Sequence, residues 1–328
     1  MNVLVIGLGS MGKRRIRILL GILNGGRICG VDTSRERCTQ TADLYNIACF
    51  DTLDAALARN NYEAAFVCTP PLTHFSVSKR VLELGIHVFS EINLISDGYD
   101  ELAELARRQK AVYFLSSTPM YRAEMEMISG IMRHESAVTY NYHVGQYLAD
   151  WHPWESYASF FAGDKRTNGC REIFAIELPW MIQAFGEITD MQVSRRRSTN
   201  LAIQYDDTYI VILTHERGNT GVFCADVCCR KPVRHLELYN QNLYVVWDGT
   251  PGSLYRYDIE ANDMKNIELS EKHEQDPRYA PFVNAQAYVK EVLAFLACID
   301  GQDVPVYTLE EDKKTLGTID RIEGLANE

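Results

Sequence analysis

Residues 1–12, MNVLVIGLGSMG, carry an apolar strand straight into a glycine-rich turn that opens a helix. No other feature constrains the chain as much, because each glycine of G-x-G-x-x-G answers a separate steric demand. Gly7 permits the tight turn, Gly9 lets backbone approach a pyrophosphate, and Gly12 lets helix and strand pack closely. Ser10 and Met11 complete the expected cofactor-binding turn. A second strand, ending at Asp32 in GVDTSRER, places a carboxylate where a ribose 2′-OH can donate to it. That acid repels a 2′-phosphate and favours NAD, while Arg35 three residues later leaves NADP open.

Through residue 118 the chain alternates strands (Val3–Ile6, Ile28–Asp32, Ala64–Cys68, His87–Phe89, Val112–Ser116) with amphipathic helices. This βαβ pattern predicts a parallel sheet with ligands outside the carboxyl ends of its strands. After a helix over Tyr121–Met132 the period changes. Val138–Val144, Met191–Arg195, Leu201–Tyr205, Tyr209–Thr214, Gly221–Val227, His235–Leu238 and Leu243–Trp247 alternate apolar and polar residues. They predict an open, mostly antiparallel sheet with one side uncovered by core. Helices are expected near Arg171–Phe185, Phe282–Cys298 and Glu310–Leu325. The fold class is α/β followed by α+β, with a nucleotide-binding domain over 1–120 and a second domain over 121–328.

The 33 basic and 44 acidic residues give a net charge of −11, which argues against nucleic-acid binding. No run is long and apolar enough to suggest a membrane span. Nine cysteines without paired C-x-x-C spacing read as free thiols in a reducing, cytoplasmic setting, and no metal site is expected.

Further segments resemble the Gfo/Idh/MocA oxidoreductases. They include CTPPLTHFSVSKRVLELGIHVFSE (68–91) and the final pair VNAQAYVKEVLAFLACIDGQ and LEEDKKTLGTIDRIEG. The resemblance implies an N-terminal Rossmann domain, NAD(P), substrates among sugars, nucleotide sugars and cyclitols, and a homo-oligomer, dimer or tetramer. It also implies that Thr69, Pro70 and His74 lie near the cofactor, that Glu91 lies beside its nicotinamide half, and that Arg122 meets the substrate. Two landmarks are absent. The family's E-K-P reads Glu91-Ile92-Asn93, so the proton-handling lysine is an isoleucine. The Asp and His four residues apart, expected within 167–186, become either Glu172 with Ile176 or Ile173 with Glu177.

Candidates for the missing proton transfer are therefore Glu177, His152 and Lys165. Glu177 interrupts an apolar stripe with Ile173, Trp180 and Ala184, as a catalytic carboxyl or as an ion pair, for example with Arg171. His152 sits in YHVGQYLADWHPWESY (142–157), where Tyr147, Trp151 and Trp154 suit stacking on a sugar ring. Asn93, Arg171 and Glu172 complete the expected substrate-binding set. The activity expected is an NAD(P)-dependent oxidoreductase on a carbohydrate hydroxyl or keto group. Two alternatives stay open: a lyase, epimerase or glycosidase that retains NAD, and a non-catalytic NAD-binding sensor.

Overall fold

Apolar runs that read continuously become the inner strands of a covered sheet. The computed structural model describes residues 1–23, 25–151, 156–269 and 284–325. Its chain divides into two units, Met1–Ser117 with Val289–Lys314, and Thr118–Tyr288 with Thr315–Glu328.

The first unit begins β1 (Asn2–Ile6), α1 (Ser10–Ile22), β2 (Arg27–Val31), α2 (Arg35–Tyr45), β3 (Ala48–Phe50) and α3 (Leu53–Arg59). It continues β4 (Ala64–Val67), α4 (His74–Leu82), β5 (His87–Ser90), α5 (Tyr99–Gln109) and β6 (Tyr113–Leu115). The six strands are parallel, in the order β3-β2-β1-β4-β5-β6. That is the doubly wound order, reversing between β1 and β4. All of β4 is buried, as a strand covered on both faces demands. The edge strand β3 has no counterpart in the sequence reading, because three residues are too few to show a period.

Phe66 stacks on Phe89 with ring centroids 4.7 Å apart, and Phe89 on Phe114 at 5.3 Å. Phe295 meets the first two edge-on at 5.4 and 5.5 Å. Each buried ring contributes about 2–3 kcal/mol. This contact corrects the single boundary expected at residue 120: Val289–Lys314 returns to the first unit and helps fill its core.

The second unit contains α6 (Ala123–Met132), β7 (Thr139–Gly145), α7 (Gly169–Phe185), β8 (Ile188–Arg196), β9 (Thr208–His215) and β10 (Thr220–Asp226). Then come β11 (Val233–Asn240), β12 (Leu243–Trp247), β13 (Leu254–Asp258) and β14 (Asp263–Asn266). The last helices, α8 (Ala285–Ile299) and α9 (Leu309–Glu323), are each divided between the units. The eight strands order β14-β13-β12-β11-β7-β10-β9-β8, and β7 with β10 is the parallel pair among antiparallel ones. Tyr140, Tyr142, Phe223, Leu236 and Leu238 point inward and are buried, while α7 covers β9 and β10. Pro179 sits inside α7 without ending it.

Leu201–Tyr205 is a loop and not the expected strand. Its alternating Leu201, Ile203 and Tyr205 are buried, but Asp207 accepts the backbone N–H groups of Ser198 and Thr199 and holds the segment out of the ladder. Among the described residues, no helix is long and apolar enough to cross a membrane.

Candidate active site

In the first unit the glycine turn lies at the carboxyl end of β1. Gly7 has φ +93°, and its N–H donates to the Val31 carbonyl at 2.8 Å. A Cβ on Gly7 would lie 2.6 Å from the Cys68 carbonyl oxygen, and one on Gly12 would lie 1.9 Å from that of Gly7. Gly9 differs: a Cβ there meets nothing within 4 Å. Gly9 is the N-cap of α1, without a side-chain cap and with no acid in the first turn, where Ser10 and Met11 lie. Open space beside an uncapped helix N-terminus fits a phosphate group.

Asp32 fixes this turn. Its Oδ2 accepts from Leu8 N–H and its Oδ1 from Ser34 N–H, both at 2.8 Å, leaving lone pairs for ribose hydroxyls. The cation near it is Arg37, at 3.7 Å. Arg35 is exposed at the first position of α2, two residues before Arg37.

Thr69 and Pro70 follow β4, and Thr73 Oγ1 lies 2.8 Å from both Thr69 Oγ1 and the Pro70 carbonyl oxygen. His74 opens α4 buried, with Nε2 2.7 Å from the Thr69 carbonyl and Nδ1 2.5 Å from the Asn93 carboxamide. Burial holds its pKa below the ordinary value, so the ring is neutral and carries one proton. Nε2 faces the Thr69 carbonyl and Nδ1 faces Asn93 Oδ1, so the ring links the two segments. Asn93, expected at the substrate, is only 3% exposed and is instead the clip joining the loops after β4 and β5.

Glu91 also has an internal task. Its Oε1 accepts from Arg15 Nε at 2.6 Å and its Oε2 from Arg15 Nη2 at 3.2 Å. The same Nη2 reaches Glu291 Oε2 at 2.8 Å, and Glu291 Oε1 accepts from Ser116 Oγ and Ser117 N–H. Burial opposes the Arg15 charge, yet Glu91 and Glu291 outweigh it and raise its pKa. Burial raises the pKa of Glu291 against the pull of Arg15. Neither Arg15 nor Glu291 has a local signal, since 276 positions separate them.

In the second unit, Glu177 is 2% exposed and fully engaged. Its Oε2 accepts from Tyr142 Oη at 2.6 Å and Trp180 Nε1 at 2.7 Å, and its Oε1 meets Arg234 Nη2 at 2.5 Å. The ion-pair partner is thus Arg234 on β11 and not Arg171. Arg171, expected at the substrate, reaches Asp320 at 2.7 Å and also bonds Glu323, contacts that hold α9 on α7. Arg122 likewise forks onto Glu124 at 3.2 Å through Nε and Nη2, donates to the Gly249 carbonyl and lies over Trp247.

Glu172, in the first turn of α7, stands apart. Its Oε2 is shielded from solvent without a hydrogen-bond partner among the described residues, and burial pushes its pKa up to about 8. Tyr147 is half-buried with the Arg230 guanidinium 3.6 Å from its ring centroid, and Trp151 donates Nε1–H to the Gln146 carbonyl at 3.0 Å. Lys165 lies exposed in the preceding loop. His152 and Trp154 lie outside the described residues.

Residues 1–117 match the family model described as an oxidoreductase family with the NAD-binding Rossmann fold. The chain is 23% identical over 269 residues to a UDP-N-acetylglucosamine 3-dehydrogenase of Acidithiobacillus ferrooxidans, covering 80% of this chain and 79% of that protein. A solved structure of that enzyme superposes with a TM-score of 0.75 at 16% identity, covering 99% of this chain and 97% of the other. Levoglucosan dehydrogenase in complex with NADH gives 0.81 at 12% identity, covering 99% and 96%. At these identities the superpositions establish a shared fold.

Proposed function

With the chain belonging through residues 1–117 to the Gfo/Idh/MocA oxidoreductase family, we propose that this protein is an NAD-dependent oxidoreductase acting on a hydroxyl or keto group of a sugar or nucleotide sugar. The observation that carries the redox half is the Gly9 turn: open space at an uncapped helix N-terminus, with Asp32 pinned beside it. Gly7, Gly9, Ser10, Met11 and Gly12 would hold the pyrophosphate, Asp32 the ribose, and Thr69 and Pro70 the adjoining wall. NAD, when bound, supplies a hydride acceptor. The substrate class is that of the dehydrogenase relatives, and the rings of Tyr147 and Trp151 suit a sugar face.

Proton transfer falls to the chain's own side chains, since Ile92 stands where the family resemblance implies a lysine. Of the two carboxylates on α7 we assign it to Glu172. A carboxyl with a pKa of about 8 and an oxygen without a partner among the described residues can release and recover a proton near neutrality. Glu177 has both oxygens committed, and it serves to hold Tyr142, Trp180 and Arg234 in place. Val193, Ile210 and Ile212, exposed on the outer sheet face, support assembly into a homo-oligomer.

The test is a single-turnover nicotinamide absorbance trace with NAD or NADH against UDP-N-acetylhexosamines, levoglucosan and cyclitols. We expect a change that Gly9→Trp abolishes through lost cofactor binding, and that Glu172→Gln slows about 100-fold with cofactor affinity intact. A flat trace with product formed would establish a cofactor-recycling reaction in its place. A flat trace without product would sink the enzymatic reading.

A further inference from the structure

Three side chains of different chemistry meet on the outer face of the second unit's sheet. In the parallel pair of β7 and β10, Cys224 lies beside His143 and Asp226 beside Gly145. Alternation sends Tyr142, Phe223 and Ala225 inward and turns His143, Cys224 and Asp226 to the opposite face. Asp226 Oδ2 lies 2.7 Å from His143 Nε2. One ligand atom from each of the three, imidazole nitrogen, thiol sulfur and carboxylate oxygen, lies within 4.8 Å of the others.

Two features hold this arrangement. Asp226 Oδ1 accepts the N–H groups of Cys228 at 2.9 Å and Cys229 at 2.7 Å, which fixes the carboxylate and presents Oδ2 to His143. Gly145 makes the room, because a Cβ there would lie 2.3 Å from that same Oδ2.

We propose that His143, Cys224 and Asp226 form a binding site for a divalent transition-metal cation, with zinc the metal its donors fit best. A thiolate, an imidazole and a carboxylate form a mixed S/N/O set that suits zinc and cobalt and not magnesium or calcium, which take oxygen donors. A tetrahedral zinc needs nitrogen and oxygen ligands about 3.3 Å apart, from bond lengths of about 2.0–2.1 Å. The His143–Asp226 contact would therefore open by roughly half an ångström, within reach of side-chain rotation alone. Three protein donors leave a fourth position for water or a further ligand. The backbone bonds to Asp226 Oδ1 are the outer support that metal-binding carboxylates usually have. Without metal the same atoms form a hydrogen-bonded His143–Asp226 pair, so the cluster is stable either way.

The experiment strips the full-length protein with chelator under reducing conditions, then titrates it with cobalt(II) and with zinc. The expected result is one equivalent per chain, a thiolate-to-cobalt charge-transfer band, and its bleaching by zinc but not by magnesium. Cys224→Ser should remove the band and weaken zinc binding at least about tenfold, and Cys228→Ser should keep both. His143→Gln gives a second weakened variant should the serine protein fold poorly, and circular dichroism checks each. Loss of the band in both cysteine variants would support the site and make Cys228 its fourth ligand. No stoichiometric uptake, a band without thiolate character, or a band that survives in Cys224→Ser would overturn the proposal.

Discussion

The two units build their polar centres from different materials. In the first, the groups around the glycine turn are mostly backbone: Gly7 at φ +93°, the uncapped start of α1, and N–H groups of Leu8 and Ser34 on Asp32. In the second, Glu177, Arg234, Arg171 and Glu323 are side chains paired with one another from distant elements. A backbone site is written into a few consecutive residues, because the turn itself is the binding surface. A side-chain site exists only after strands and helices have been brought together.

The largest expected effect tests where the first unit departs from this contrast, at its buried triad. Arg15→Met would leave Glu91 and Glu291 buried without their cation, at a cost of about 3–5 kcal/mol in denaturant unfolding. Arg234→Met should cost less, since Tyr142 and Trp180 still donate to Glu177. Equal losses would erase the distinction between two carboxylates that share one cation and one carboxylate with a cation of its own.

A smaller effect separates fold from binding within the glycine turn. Gly12→Ala drives a Cβ against the Gly7 carbonyl, and about 1–3 kcal/mol of stability should be lost. Gly9→Ala meets no protein atom, so unfolding should shift by less than about 0.5 kcal/mol. NAD affinity, measured by calorimetry, should nevertheless fall at least about tenfold, roughly 1.4 kcal/mol. An unchanged affinity would detach the cofactor from this turn.

The remaining test is a pH dependence, at Glu172. Its folded-state pKa of about 8 lies above the ordinary 4.5, so the folded state binds the proton more tightly than the unfolded state. Stability from this group is full below about pH 4.5 and is lost as pH rises towards about 8. The slope is at most about 1.4 kcal/mol per pH unit. Glu172→Gln should remove that component from a series of unfolding midpoints. If wild type and variant run parallel across the window, Glu172 is an ordinary ionised carboxylate and its proposed proton role fails.

Several elements show how far local pattern reaches. α2, α3 and α5 start directly after Ser34, Thr52 and Gly98, where the sequence alternates strands with amphipathic helices. β13 and β14 went unread, because Leu254–Asp258 and the edge strand Asp263–Asn266 are short and mostly exposed, with little buried apolar signal. Leu201–Tyr205 showed the period of a strand without being one, since burial of every second side chain does not require ladder hydrogen bonds. Nothing in the local pattern around Asn93 and Arg122 shows that they bond His74 and Glu124.

By itself the sequence determined the doubly wound first domain, the glycine turn with Asp32, and the change to an alternating sheet after α6. Each depends on neighbours a few residues apart, where periodicity and backbone sterics act. Only the tertiary structure decided that Val289–Lys314 completes the first core, that Glu177 pairs with Arg234, that Glu91 shares Arg15 with Glu291, and that His143 meets Cys224 and Asp226. A buried charge takes whichever opposite charge packing brings within reach, and no local pattern encodes which one that is.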